Sequence, residues 1–178
     1  RTLDRVGQQA FIRPNALHPP FNDPRARQAL FHLVDPGAYL PAIVPDAEHA
    51  VDCLSAFVCA PGTPPPRPAA FDPERARGLL REAGYRGEPI VILAASDLPG
   101  LSAMGQVLAQ DLRRAGATVD LQSMDWSSVT VRRNNRGNPA TDRGGWHLFV
   151  SYRPGMTAQN PIINSNLATP CDGRNAWG

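Results

Sequence analysis

Residues 71–95 read FDPERARGLLREAGYRGEPIVILAA. Asp72-Pro73 marks a helix start. An aspartate oxygen at the cap accepts backbone N–H groups that lack an intrahelical partner, and proline suits the first turn, where its missing N–H is not needed. Ala76, Leu79, Leu80 and Ala83 then recur at helical spacing on one face. Gly84 stands where a helix terminator with positive φ is wanted. Residues 88–94, EPIVILA, follow as a strand, and their unbroken apolar run predicts burial on both faces.

The same alternation continues toward the C-terminus. Residues 101–115 form an amphipathic pattern with Met104, Val107, Leu108, Leu112 and Ala115 inward, closed by Gly116. Residues 117–124, ATVDLQSM, alternate like a strand; 126–133 read as a short helix; 145–152, GWHLFVSY, as another strand. Helix–strand repeated three times predicts an α/β fold with a central, largely parallel sheet flanked by helices.

Toward the N-terminus the Asp-Pro device returns twice. Asp23-Pro24 precedes a stripe of Ala26, Ala29, Leu30 and Leu33, and Asp35-Pro36 precedes Tyr39, Leu40 and Ile43. Residues 6–12, VGQQAFI, read as a strand arriving from elsewhere. Pro19-Pro20-Phe21 is expected to anchor the connection, with its phenyl ring packed against the domain. Residues 60–70, APGTPPPRPAA, are an ordered surface loop, a polyproline segment or a linker. The stretch after Arg153 has no clear periodicity.

Composition narrows the function classes. The chain has 178 residues, 42% hydrophobic, enough for one domain with a core or for a piece of something larger. With 18 basic against 16 acidic residues, the net charge of +2 gives no reason to expect a nucleic-acid partner. Nineteen prolines and 15 glycines predict short elements and long ordered connections. No run is long and apolar enough to cross a membrane. The chain opens on Arg1 without a methionine or a visible signal peptide, and reads as an excised or processed piece.

Signatures of chemistry are sparse. His18, His32, His49 and His147 are isolated, and His49 among Asp46, Glu48 and Asp52 reads as a solvated acidic turn. No metal or cofactor is expected. Cys53 and Cys59 enclose a short loop that a disulfide could close, or stand as separate thiols; they are not a CxxC pair. The basic run 132–136, RRNNR, reads as a solvated helix end rather than a phosphate site. A hydrolase on an α/β scaffold would need a clustered nucleophile and base, which the sequence does not offer. The aromatics are more informative. Trp126 and Tyr152 both fall at carboxyl ends of strands, where parallel α/β sheets gather ligands, so each either lines a cleft or only packs. Trp146, at the opposite end of its strand, reads as packing.

These segments in this order resemble the carboxy-terminal lobe region of extracytoplasmic solute-binding proteins of the peptide/nickel class, family 5 of the ABC importers. NALHPPFNDPRARQAL, HLVDPGAYL, FDPERARGLLREAGY, EPIVILAASD, ATVDLQSMDWSSV and GGWHLFVSY carry the resemblance, which covers roughly residues 6–178. It implies a type II periplasmic-binding-protein-like lobe of the peptide-binding class, here an incomplete fold. Residues 1–14 would be a strand entering the lobe, 15–152 the main α/β lobe, and 153–178 an irregular segment leading toward the cleft.

The resemblance further implies a non-enzymatic, extracytoplasmic substrate-binding component with a signal peptide in its parent. It would capture a short peptide or related small molecule between two lobes and deliver it to ABC permease subunits. A ligand-sensing or interaction module without transport is the alternative. Trp126, Tyr152, Arg153, Asn160 and Trp177 are the implied ligand-binding residues. One departure stands out. Between Tyr152 and Cys171 there is no carboxylate, and Arg153 adds positive charge where peptide-binding members carry an acidic turn. A peptide amine would find no charge partner there, which leaves an acidic, neutral or conjugated solute, or a peptide held differently.

Overall fold

Each expected Asp-Pro start is a helix start in the computed structural model, which describes residues 7–44, 54 and 69–155. Helices α1 (Pro24–Leu33), α2 (Pro36–Ile43) and α3 (Pro73–Glu82) all carry proline in the first turn. Asp23 accepts from the Arg25 N–H at 2.8 Å, Asp35 from Gly37 at 3.1 Å, and Asp72 from Arg75 at 2.9 Å. Asp72→Ala is expected to cost about 1 kcal/mol, read as a lower urea midpoint with an unchanged slope. An unchanged midpoint would show that α3 does not depend on its cap.

Helix α4 (Pro99–Arg114) starts two residues before its predicted position, because Pro99 fits the first turn even though Leu98 gives no side-chain cap. Gly84 and Gly116 end α3 and α4 with φ of +91° and +82°, as the sequence predicted. Arg77 of α3 donates to the carbonyls of Ala115 and Arg114, both at 3.0 Å, so one guanidinium satisfies the open end of the neighbouring helix.

Among the described residues four strands form one sheet in the order β1-β4-β2-β3: β1 (Gln8–Pro14), β2 (Ile90–Ala95), β3 (Val119–Met124) and β4 (Leu148–Pro154). β4, β2 and β3 are parallel, while β1 runs antiparallel to β4 with Gln8 opposite Pro154 and Pro14 opposite Leu148. Central β2 is buried at every position, as its apolar run required, while edge strand β3 is nowhere fully buried and is exposed at Asp120 and Ser123. β1 tolerates Pro14 because it is an edge.

Strand alternation gives the sheet two faces. The first, with Ala94, Leu121 and Val150, receives α4, and α2 packs behind it. Within that second layer Asp111 and Tyr39 are buried side by side, and burial pushes both the carboxyl and the phenol up. The opposite face, with Phe11, Phe149 and Trp146 in edge-on ring contacts, is covered by α5 (Trp126–Arg132) and the loop that follows it.

β4 begins three residues later than predicted. Asn15 and β2 share the preceding residues: the Asn15 amide donates to the Trp146 carbonyl at 2.9 Å and its backbone N–H to that of His147 at 2.8 Å, while the His147 backbone N–H donates to the Val91 carbonyl at 3.0 Å. Trp146 is fully buried, in keeping with a packing role. Phe21 is also fully buried, against the His147 ring, so the proline-rich connection is anchored as expected. Within residues 60–70 only Ala69 and Ala70 are described, and Cys53 and Cys59 lie outside the described residues.

Candidate functional site

The three parallel strands finish along one edge of the sheet. The turn after β2 organises that edge. Ser96 donates to the Met124 carbonyl at 2.7 Å, and Asp97 accepts from the Trp126 N–H at 2.8 Å, so the ends of β2 and β3 are tied together. Asp125 caps α5, accepting from the Ser128 N–H at 2.9 Å and from the hydroxyls of Ser127 and Ser128. These bonds hold its carboxyl well below the usual carboxylate range.

Trp126 therefore sits at a fixed place, half-buried, at the head of α5. The Arg133 guanidinium lies 5.5 Å from the Trp126 ring centre and 5.6 Å from that of Phe149. Burial, and then the charge of Arg153, pull the Arg133 pKa down from its ordinary value. Phe149, Ser151 and Arg153 alternate onto the same face of β4, so Arg153 extends on the α5 side, opposite Gln9.

Tyr152 points the other way. It lines a shallow hollow of about 200 Å³ with Gln8, Ile43, Leu98, Pro99 and Gly100, at the mouth of α4. A second open hollow, about 360 Å³, lies between Met124, Ser127, Ser128, Val131 and Arg132. The candidate residues are thus divided by the sheet: Trp126 and Arg153 on the α5 side, Tyr152 on the α4 side. Asn160 and Trp177 lie outside the described residues.

Sequence reading missed Arg133 and Phe149 at this edge. It also misplaced the basic run. Arg132 is no solvated helix end: it donates to the carbonyls of Gly144, Arg143 and Gly145 at 3.1, 2.7 and 3.2 Å, and to Gln122 of β3. That clamp fixes the loop before β4. The partly buried environment of Arg133 has no signature in a single sequence.

The described histidines are all engaged with the backbone. His18 meets the Arg136 carbonyl at 2.9 Å, His32 that of Ala70 at 3.0 Å, and His147 Nδ1 the Val91 N–H at 2.9 Å. Among the described residues no group of three or more His, Cys, Asp or Glu could hold a metal ion.

Known proteins bear on this arrangement at three levels. A 38% identical relative from Sinorhizobium fredii, named a probable peptide ABC transporter periplasmic-binding protein, y4tO, aligns with 98% of this chain and 33% of its own length. A probable di/tripeptide-binding protein 5 from Pseudomonas aeruginosa is 29% identical over 92% of this chain and 32% of its own. The chain thus spans about a third of the length of the curated relatives it matches. Among solved structures, the Listeria monocytogenes substrate-binding protein CtaP superposes with a TM-score of 0.71 at 16% identity, over 91% of this chain and 32% of that one. A Pseudoalteromonas dipeptide-binding protein reaches 0.64 at 23% identity, over 85% and 29%. These two likenesses concern the fold, an α/β lobe of the periplasmic-binding-protein type. The family description "Bacterial extracellular solute-binding proteins, family 5 Middle" matches residues 3–169, and with nearly the whole chain inside that match, it belongs to this family.

Proposed function

We propose that this chain is part of one lobe of the substrate-binding component of an ABC importer, which captures a short peptide or related small solute between two lobes and delivers it to membrane permease subunits. The single observation that carries this reading is a row of strand ends bearing Trp126, Arg153 and Tyr152, on a chain of the solute-binding family. Aromatic surface supplies apolar contact and the Arg153 guanidinium supplies orientation. Hinged closure of a second lobe would exclude water.

The names of the y4tO relative and of the di/tripeptide-binding relative favour a peptide-like solute and an extracytoplasmic location. The chain acts by binding, without chemical conversion of the solute. Its organisation on this reading is an entering strand at 1–14, the main lobe at 15–152, and a cleft-directed segment at 153–178 that carries Asn160 and Trp177.

Titrating the full-length protein with di- and tripeptides, followed by calorimetry, tests the reading. Saturable binding is expected, and Trp126→Ala should weaken it at least about tenfold, the scale of one lost aromatic contact at a buried site. Absence of saturable binding by any peptide or small acid tried would overturn it.

A further inference from the structure

Helix α2 has little to hold it together on its own. It is eight residues long, and Pro41 inside it removes one rung of the backbone ladder. Such a helix depends on packing, and α2 packs on α4. It runs back along that helix. Tyr39 and the cap residue Asp35 meet Asp111 in the last turn of α4, while the Ile43 carbonyl lies 3.4 Å from where a Gly100 Cβ would stand in the first. Ile43 also lines the hollow beside Tyr152. One end of α2 is therefore seated on a buried carboxyl, and the other forms a wall at the strand ends.

Asp111 is 2% exposed and Tyr39 4%. The two side chains lie against each other, yet neither Asp111 Oδ2 nor the Tyr39 hydroxyl makes a well-aligned hydrogen bond to any described residue. Arg114 reaches Asp111 Oδ1 at 3.2 Å, from a side chain that is itself 56% exposed. Asp35, on α2, brings a second carboxylate, which accepts from the Gly37 N–H. The last turn of α4 is also the negative end of its dipole, and Arg77 of α3 is bonded to the carbonyls of Arg114 and Ala115 there. On α1, Arg25 pairs with Asp23, and Arg27 and His32 turn to the carbonyls of Phe21 and Ala70. The sheet face under α4 offers Ala94, Leu121 and Val150, which carry no charge. Burial raises the Asp111 carboxyl above its ordinary value; Tyr39 and Arg114 oppose that rise, and Asp35 adds to it.

We infer that Asp111 is a pH-sensitive seat for α2: with its proton on, α2 lies closed on α4, and once it ionises α2 lifts, so that water reaches the carboxylate and the Ile43 wall of the hollow opens. A buried carboxylate short of partners is costly, and lifting one short helix rehydrates it. The closed state keeps the proton longer than the open one. Closure is thus favoured fully below the ordinary aspartate value of 3.8 and progressively less as the pH rises past it. The device stands independently of the solute-binding reading; where that reading holds, one wall of the cleft is set by pH.

Amide hydrogen exchange on the full-length protein, corrected for intrinsic rates from about pH 4 to 8, tests it. In the native protein the α2 amides should exchange up to about tenfold faster per pH unit above the ordinary 3.8, then level off. Asp111→Asn, which matches the protonated carboxyl in shape and cannot ionise, should make α2 exchange flat. The α3 amides report global opening, His147 included, and are the reference in every sample. Tyr39→Phe removes a hydroxyl that can donate to the carboxylate, so it should carry the pH-dependent opening to higher pH; this variant decides the matter if Asp111→Asn does not fold. Native α2 exchange that is flat relative to α3, an equal rise in Asp111→Asn, or an unshifted rise in Tyr39→Phe overturns the inference.

Discussion

Gly105→Val is expected to destabilise the protein by more than about 3 kcal/mol, and Gly105→Ala by about 1–3 kcal/mol. Gly105 lies inside α4, where an alanine ordinarily gains about 1 kcal/mol over glycine. Here the sign reverses, because a Cβ built on Gly105 would stand 2.6 Å from the Cβ of Ala94. Ala94 belongs to β2, the doubly buried strand, and its Cβ moves only with the backbone. Leu121 and Val150 close the remaining sides at 3.5 and 3.8 Å. The helix must therefore lift off the sheet, which uncovers Leu101, Met104, Leu108 and Leu112 together.

Two controls make this reading decidable by chemical denaturation. Ala94→Gly should rescue Gly105→Ala, since the cycle removes the one clashing atom. Gly78→Ala in α3, where nothing lies within 4 Å of the added carbon, should gain about 0.5–1 kcal/mol. A stabilising Gly105→Ala would mean that α4 does not approach the sheet this closely.

The second large effect concerns His147. Its Nδ1 accepts from the Val91 N–H at 2.9 Å, and its backbone N–H donates to the Val91 carbonyl at 3.0 Å. The side chain thus extends the β2–β4 pairing past its last backbone rung. Nδ1 can accept only while it carries no proton, so the imidazole must be neutral with its proton on Nε2. Burial pushes its pKa down to about 4, from an ordinary 6.5. A hydrogen bond with the Pro19 backbone opposes that depression, His18 adds to it, and Glu88 opposes it.

The sign follows from proton counting. Below pH 6.5 the unfolded chain takes up a proton that the folded chain refuses, so stability is full above pH 6.5 and falls as the pH drops toward 4. The gap between the two values corresponds to a loss on the order of 3 kcal/mol across that window. His147→Asn keeps an acceptor near Nδ1 and cannot titrate. Relative to it, the native protein should lose stability steadily between pH 6.5 and 4, in urea midpoints taken at half-unit steps. His147→Leu strands the buried Val91 N–H and should cost about 1–3 kcal/mol even at pH 7. A native midpoint that tracks His147→Asn through the whole range would show that the ring is not held neutral.

Much of the fold was legible because the deciding signals are local. An Asp-Pro pair reports its own helix start, and Gly84 and Gly116 report where α3 and α4 stop. The all-apolar run of β2 predicted burial on both faces, and the strand is buried at every position. Long-range partners were not legible. His147 looked isolated because its partner Val91 is 56 residues away, and Arg132 looked solvated because its carbonyl partners lie 11 to 13 residues on. Gly105 and Asp111 turn inward on α4, although neither belongs to an apolar stripe. At the candidate site, Tyr152 and Arg153 were named together, although they are neighbours on one strand. Adjacent residues of a strand point to opposite faces, so closeness in sequence was itself the reason they part.

The strand order carries a consequence for assembly. β4 is the last strand of the sheet in sequence, yet it lies between β1 and β2. Among the described strands, β1 has no partner until β4 is synthesised, and β2 and β3 can pair only with each other. Both remaining seams need β4, which is made on the order of ten seconds after β1 at ordinary translation rates. A nascent chain stopped before Leu148 therefore does not hold three-quarters of this sheet; it holds one seam of three.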